Sequence, residues 1–254
     1  MRLKGKVAII TGAGQSIGRA IAIRYSAEGA KVVVNYHSKP ELADQVVQLI
    51  RQRGGEAFAY KADVSNELEV QQMVRETVEK FGTVHILVNN AAIDPRKVWH
   101  EISVAEWDEV MANNVRSQFI CSKAVYPHMK QQRYGKIVNV SSVTFLTGQK
   151  NYVHYVASKG AIIGFTRALA REVGDDQITV NCITPGAVLT ETEIEKVGSV
   201  AAQEKATEML LKVQAIPRRM LTGDIEGLFV FLASEESDLI TGQTINADGG
   251  WMMH

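Results

Sequence analysis

The chain has 254 residues, 46% of them hydrophobic and 22% charged, with 28 basic against 28 acidic side chains, so it can bury a large core without net charge. That balance argues against a surface built for nucleic acid or an anionic membrane, and no stretch nears the roughly eighteen apolar residues of a membrane span. Two cysteines without paired spacing, Cys121 and Cys182, and an N-terminal apolar run too short for a signal peptide, lead us to expect a soluble cytoplasmic protein.

Short β-branched runs alternate with helical segments along the chain. Strands are expected at Lys6–Thr11, Ala30–Asn35, Glu56–Tyr60, Val84–Asn89, Lys136–Val140, Ile178–Ile183 and Thr244–Asn246, with helices at Ile17–Glu28, Glu41–Arg53, Glu67–Phe81 and Asp108–Gln132. Strands without polar alternation are buried on both faces. The pattern therefore predicts an α/β, Rossmann-type, doubly wound sheet of seven parallel strands with helices on both faces, in a single domain spanning 1–254. Ser38 to Glu41 and Ser103 to Glu106 read as capping boxes that start helices. His37, His85, His100, His128, His154 and His254 show no ligand spacing, so no metal is expected.

The first turn reads Thr11-Gly12-Ala13-Gly14-Gln15-Ser16-Ile17-Gly18. Glycines between a strand and a helix let the backbone approach a pyrophosphate, while the helix N-terminus offers free amides and a positive dipole end. At the end of the second strand, an acidic residue would accept ribose hydroxyls and repel a 2′-phosphate. This chain has Asn35-Tyr36-His37-Ser38-Lys39 there, which favours NADP over NAD, although Gln15 stands where phosphate-binding relatives often place Arg.

With these motifs the chain resembles the short-chain dehydrogenase/reductase family along essentially its whole length. Thr11, Gly12 and Gly18 match the family's Thr-Gly-x-x-x-Gly-x-Gly, with Ser16 at its middle glycine and Gly14 as a second source of flexibility. The resemblance implies that Asp63 and Val64 touch the adenine. It assigns Asn90, Ala91 and Ala92 to the cofactor's side, Ala92 standing where the family usually has glycine. Pro185, Gly186, Val188 and Thr190 would hold the nicotinamide end.

Two Tyr-x-x-x-Lys spacings occur, Tyr126 to Lys130 and Tyr155 to Lys159, so spacing alone decides nothing. Tyr155 follows Ser142, at a strand end, by thirteen residues and opens a helix that carries Lys159 on the same face. Tyr126 lies mid-helix beside Pro127 and reads as packing, with Lys130 as a surface charge. Hydride transfer to a ketone requires a proton donor, and the reverse requires a base. A phenol near pKa 10 serves neither well, and lowering it by about three units takes roughly 4 kcal/mol. A single cation about 4 Å away supplies that at an effective dielectric of about 20. Tyr155 is therefore expected to be the acid/base, with Lys159 lowering its pKa and holding the nicotinamide ribose, and Ser142 bonding the substrate oxygen. By resemblance, Asn114 holds a relay water.

Ile93, Val143, Phe145, Gln149, Tyr152 and Val188, under a lid over about 186–222 that includes Met209, Leu210 and Leu211, suggest a mainly apolar pocket for a small or medium-sized ketone or secondary alcohol. Family alternatives are a sugar dehydrogenase or a 3-oxoacyl-acyl-carrier-protein reductase, the latter with Arg96, Lys97 and Arg116 as a basic entrance. A catalytically silent nucleotide-binding scaffold is the rival of another class. Small residues on the Tyr155 helix and an apolar C-terminal tail suggest a homotetramer.

Overall fold

The computed structural model describes residues 1–253. Its strands are β1 (Val7–Ile10), β2 (Lys31–Tyr36), β3 (Ala57–Lys61), β4 (Ile86–Asn89), β5 (Gly135–Val140), β6 (Ile178–Pro185) and β7 (Thr244–Ala247). They form one sheet in the order β3-β2-β1-β4-β5-β6-β7, every pair parallel. All seven expected strands are present, with ends displaced by one or two residues. The helices are α1 (Ser16–Ala27), α2 (Pro40–Gln52), α3 (Glu67–Phe81), α4 (Val104–Met111), α5 (Ser117–Gln132), α6 (Thr144–Thr147), α7 (Val153–Val173), α8 (Glu191–Val197), α9 (Val200–Leu211) and α10 (Gly223–Ala233).

The period of two along each strand divides the core between the faces of the sheet. Ala8, Ile10, Val32, Val34, Val138 and Val140 pack with Ile21, Tyr25, Val46, Ile50 and Phe229 from α1, α2 and α10. Ile9, Val33 and Ile137 face the other way, against Val70, Met73, Ile120, Val125 and Val173 from α3, α5 and α7. Chain order reverses between β1 and β4, so the loops leaving these strands diverge and open a crevice at the strands' C-terminal ends.

Two helix starts differ from expectation. Ser103 and Glu106 form the full reciprocal capping box of α4, so this helix begins at Val104 rather than Asp108. The Ser38 box does not form, because Pro40 takes the first helical position, Lys39 becomes the cap residue, and Glu41 falls one place short of reaching back. The expected helix Asp108–Gln132 also contains an insertion. A π turn over Ala112–Arg116 joins α4 to α5, and it carries Asn114.

Candidate active site

A cavity of about 930 Å³ lies over the strand ends and is lined by the glycine loop, the ends of β2, β4 and β5, α7, and the segment after β6. The loop is shaped by close contacts. A Cβ on Gly18 would stand 2.3 Å from the Gly12 carbonyl and 2.7 Å from Asn90 Nδ2. Asn90 fixes this approach by donating to the Thr11 and Gly12 carbonyls, while Thr11 Oγ1 accepts from the Asn90 and Ala91 amides. Ser16, at the family's middle glycine, adopts φ +52°, a left-handed conformation that costs a non-glycine residue about 1 kcal/mol. Gly14 has no positive φ, so the flexibility expected of it is taken up by Ser16 itself. The Ser16 amide donates to Glu191 Oε1 at 2.8 Å, and its hydroxyl shares a 2.7 Å hydrogen bond with Thr192. An amide that already takes an anionic oxygen, beside a turn with no room for a Cβ, fits the pyrophosphate of a dinucleotide. Gly12, Gly14, Gln15, Ile17 and Gly18 line the same space.

At the β2 end, Asn35 is mainly a tie: its Oδ1 accepts from the Gly12 amide, and its Nδ2 donates to carbonyls of β2, β3 and Ala62. Tyr36, His37, Ser38 and Lys39 line the cavity beyond it, and Lys39 Nζ donates to Gln15 Oε1 at 3.3 Å. Asp63 and Val64 form the adjoining wall. Burial opposes ionisation of Asp63, but the Ser65 hydroxyl and amide outweigh it and hold the carboxyl below its usual range.

Ser142 and Tyr155 line the cavity together, as the sequence suggests; Asn114 and Lys159 lie behind its wall. Lys159 Nζ stands 5.4 Å from the centre of the Tyr155 ring and donates to the Val140 carbonyl at 2.9 Å. The surroundings of Tyr155 act against the expected acidification. Burial and the Asp94 carboxylate raise its pKa, the Ser142 hydroxyl pulling the other way, while burial lowers Lys159 to about 8. Away from water each group favours its neutral form, and the ammonium is spent on a carbonyl. Asn114 Oδ1 accepts from the Ile93 amide, and its Nδ2 donates to the Ile93 carbonyl and Ser158 Oγ. Its neighbour Asn113 faces the cavity instead.

Thr144 was not anticipated. Its amide and hydroxyl both donate to Ser142 Oγ, at 3.2 and 2.9 Å, which fixes the serine hydroxyl at the cavity wall. The Ser-x-Thr turn after a strand was the available signal. Ile93, Val143, Gln149, Tyr152 and Val188, expected on the substrate side, and Met209 and Leu210, expected in the lid, line the same cavity, as do Gly186 and Thr190. Phe145 does not: its ring covers Gly160, where a Cβ would come within 2.7 Å. Pro185 ends β6 just outside the lining. Five charged residues, Asp94, Arg96, Glu193, Lys196 and Arg219, add a polar wall to the expected apolar one. Lys196 pairs with Asp94, and Arg96 lies 3.7 Å from Glu193 and 5.4 Å from the Tyr152 ring, so α8 is latched across the loop after β4. Trp251 also faces the cavity, its segment folded onto the Asp248 carboxylate.

A family model described as Enoyl-(Acyl carrier protein) reductase matches residues 12–252. The chain is 37% identical to the 3-oxoacyl-[acyl-carrier-protein] reductase FabG of Staphylococcus aureus over 248 residues, covering 98% of each. It is 36% identical to glucose 1-dehydrogenase 2 of Bacillus subtilis over 254 residues, covering 99% of this chain and 96% of that one. A solved 7α-hydroxysteroid dehydrogenase, in complex with NADH and 7-oxoglycochenodeoxycholic acid, superposes with a TM-score of 0.92 at 34% identity, covering 98% of this chain and 95% of its own.

Proposed function

Since the chain belongs to the short-chain dehydrogenase/reductase family and is an NAD(P)-dependent oxidoreductase acting on a ketone or secondary alcohol, we propose that Tyr155 is its acid/base, assisted by Lys159, Ser142 and Asn114. The observation that carries this reading is the convergence of Ser142, Tyr155 and the glycine loop on one cavity. When bound, the nicotinamide supplies or accepts the hydride and, in its oxidised form, brings a positive charge. Ser142, held by Thr144, donates to the substrate oxygen. In reduction Tyr155 gives that oxygen its proton, and in oxidation it takes the proton away. Lys159, which donates to the Val140 carbonyl, would hold the nicotinamide ribose of a bound cofactor, and its charge would favour the phenolate. Asn114 Oδ1 retains one lone pair beyond its Ile93 bond with which to hold a relay water.

His37, Ser38 and Lys39 beside the ribose end, with no carboxylate on that strand end, support NADP over NAD. A carrier-protein entrance built on Arg96, Lys97 and Arg116 is weakened because the first two have Glu193 and Glu106 as partners. A small-molecule ketone or alcohol is the better-supported substrate, within one catalytic domain lidded by α8 and α9. Exposed Val104, Phe119 and Val153 on α4, α5 and α7 support a homotetramer, and the buried free thiols of Cys121 and Cys182 suit a cytoplasmic enzyme. A spectrophotometric screen of alcohols and ketones with both cofactors tests the reading: turnover that Tyr155→Phe abolishes supports it, and turnover that survives refutes it.

A further inference from the structure

Resting on that reading, we propose that Arg219 binds a carboxylate of the substrate, making the substrate a hydroxy or oxo acid with an apolar body. Of the five charged residues on the substrate side of the cavity, four are matched: Lys196 with Asp94, and Arg96 with Glu193. Arg219 has no ion pair and no side-chain hydrogen bond among the described residues, and its Nε is buried without a partner. One uncompensated positive charge therefore faces the space where substrate would lie.

Its place in the fold is the nicotinamide end of the cavity, where hydride transfer requires the substrate to lie as well. Met220, the next residue, bridges to Val188, and its carbonyl accepts from the Leu189 amide at 2.8 Å, so Arg219 belongs to the wall built by the segment after β6. The other cavity-lining residues of the lid and tail on this side include Met209, Leu210, Val213 and Trp251, all apolar or aromatic. The glycine loop, by contrast, offers its Ser16 amide to a different anion, Glu191. A planar guanidinium without an ion pair, on a cavity wall shared with apolar side chains, suits the two oxygens of a carboxylate.

The test uses phenylacetate and phenylacetamide as probes, titrated calorimetrically into the full chain loaded with oxidised NADP. The acid should bind about tenfold or more tightly than the amide. Arg219→Gln should bring the ratio to about one, and Arg219→Lys, which keeps the charge but loses the fork, should restore part of it. Equal binding of acid and amide to the wild-type protein overturns the proposal without any variant, as does a preference that survives Arg219→Gln in protein with native circular dichroism. None of these readings needs turnover. Absence of hydride transfer would sink the proposed reaction alone, whereas loss of charge discrimination would sink the carboxylate site alone.

Discussion

Tyr126–Lys130 and Tyr155–Lys159 have the same spacing on two helices and opposite surroundings. In the first pair, Lys130 Nζ donates to the Tyr126 hydroxyl at 3.2 Å, that hydroxyl donates to Asp176 at 2.6 Å, and Lys130 lies 3.5 Å from the same carboxylate. The trio satisfies itself at the surface: bonding to Tyr126 and the charge of Asp176 raise the Lys130 pKa, while the same contacts lower that of Asp176. In the second pair the lysine is buried and bound to a backbone carbonyl, and the phenol lines an open cavity. Helical spacing brings the groups near one another; position relative to the strand ends decides whether a hydroxyl is left for a ligand.

The largest expected break in that comparison is Tyr155→Phe, which should lower kcat by about a thousandfold, within the range of general acid–base catalysis, with cofactor affinity by fluorescence titration nearly unchanged. Lys159→Met should cost about a hundredfold in kcat. It should also alter the stability profile of the cofactor-free protein. The folded-state pKa of Lys159 is depressed to about 8, so between there and the unfolded value the unfolded chain binds more protons. Wild-type stability should accordingly rise with pH from about 8 to 10.5 relative to the variant, by on the order of 3 kcal/mol, as followed by urea denaturation. Asp94→Asn removes a charge that raises the Tyr155 pKa, so the acidic limb of the oxidation pH–rate profile should move to lower pH. On the cofactor side, Lys39→Glu should turn an NADP preference in kcat/KM toward NAD by about tenfold or more. The smallest effect belongs to Tyr126→Phe, which loses the hydroxyl's two hydrogen bonds, to Asp176 and from Lys130, near the surface and should shift stability by about 1 kcal/mol or less without changing kcat.

The central strands were legible because buried parallel strands read as largely apolar runs, and the glycine loop from its glycines between a strand and a helix. Ser142, Tyr155 and the wall after β4 were legible from their place at strand ends. Three features were not. The latch between α8 and the loop after β4 joins Asp94 to Lys196 across 102 residues, a pairing no local pattern encodes. Arg219 and Trp251 come from segments whose path depends on tertiary packing. The pKa of Tyr155 depends on how deeply the phenol sinks and which charges fold near it: burial raises it most, and the Asp94 carboxylate adds to that. Phe145 was misplaced for a related reason, since a glycine on the neighbouring helix offered its ring a closer seat than the cavity did.

The π turn at Ala112–Arg116 has an architectural consequence. It is one residue wider than the helix around it, and each residue of α-helix advances the chain by about 100°. Deleting a single residue there would rotate α5 as a rigid rod, swinging Ile120, Cys121, Val125 and Met129 off the sheet while dragging Asn114 away from Ile93 and Ser158. The extra residue thus acts as a phase adjuster, letting one continuous rod serve a packing face and a polar anchor that an unbroken α-helical repeat could not point in both directions at once.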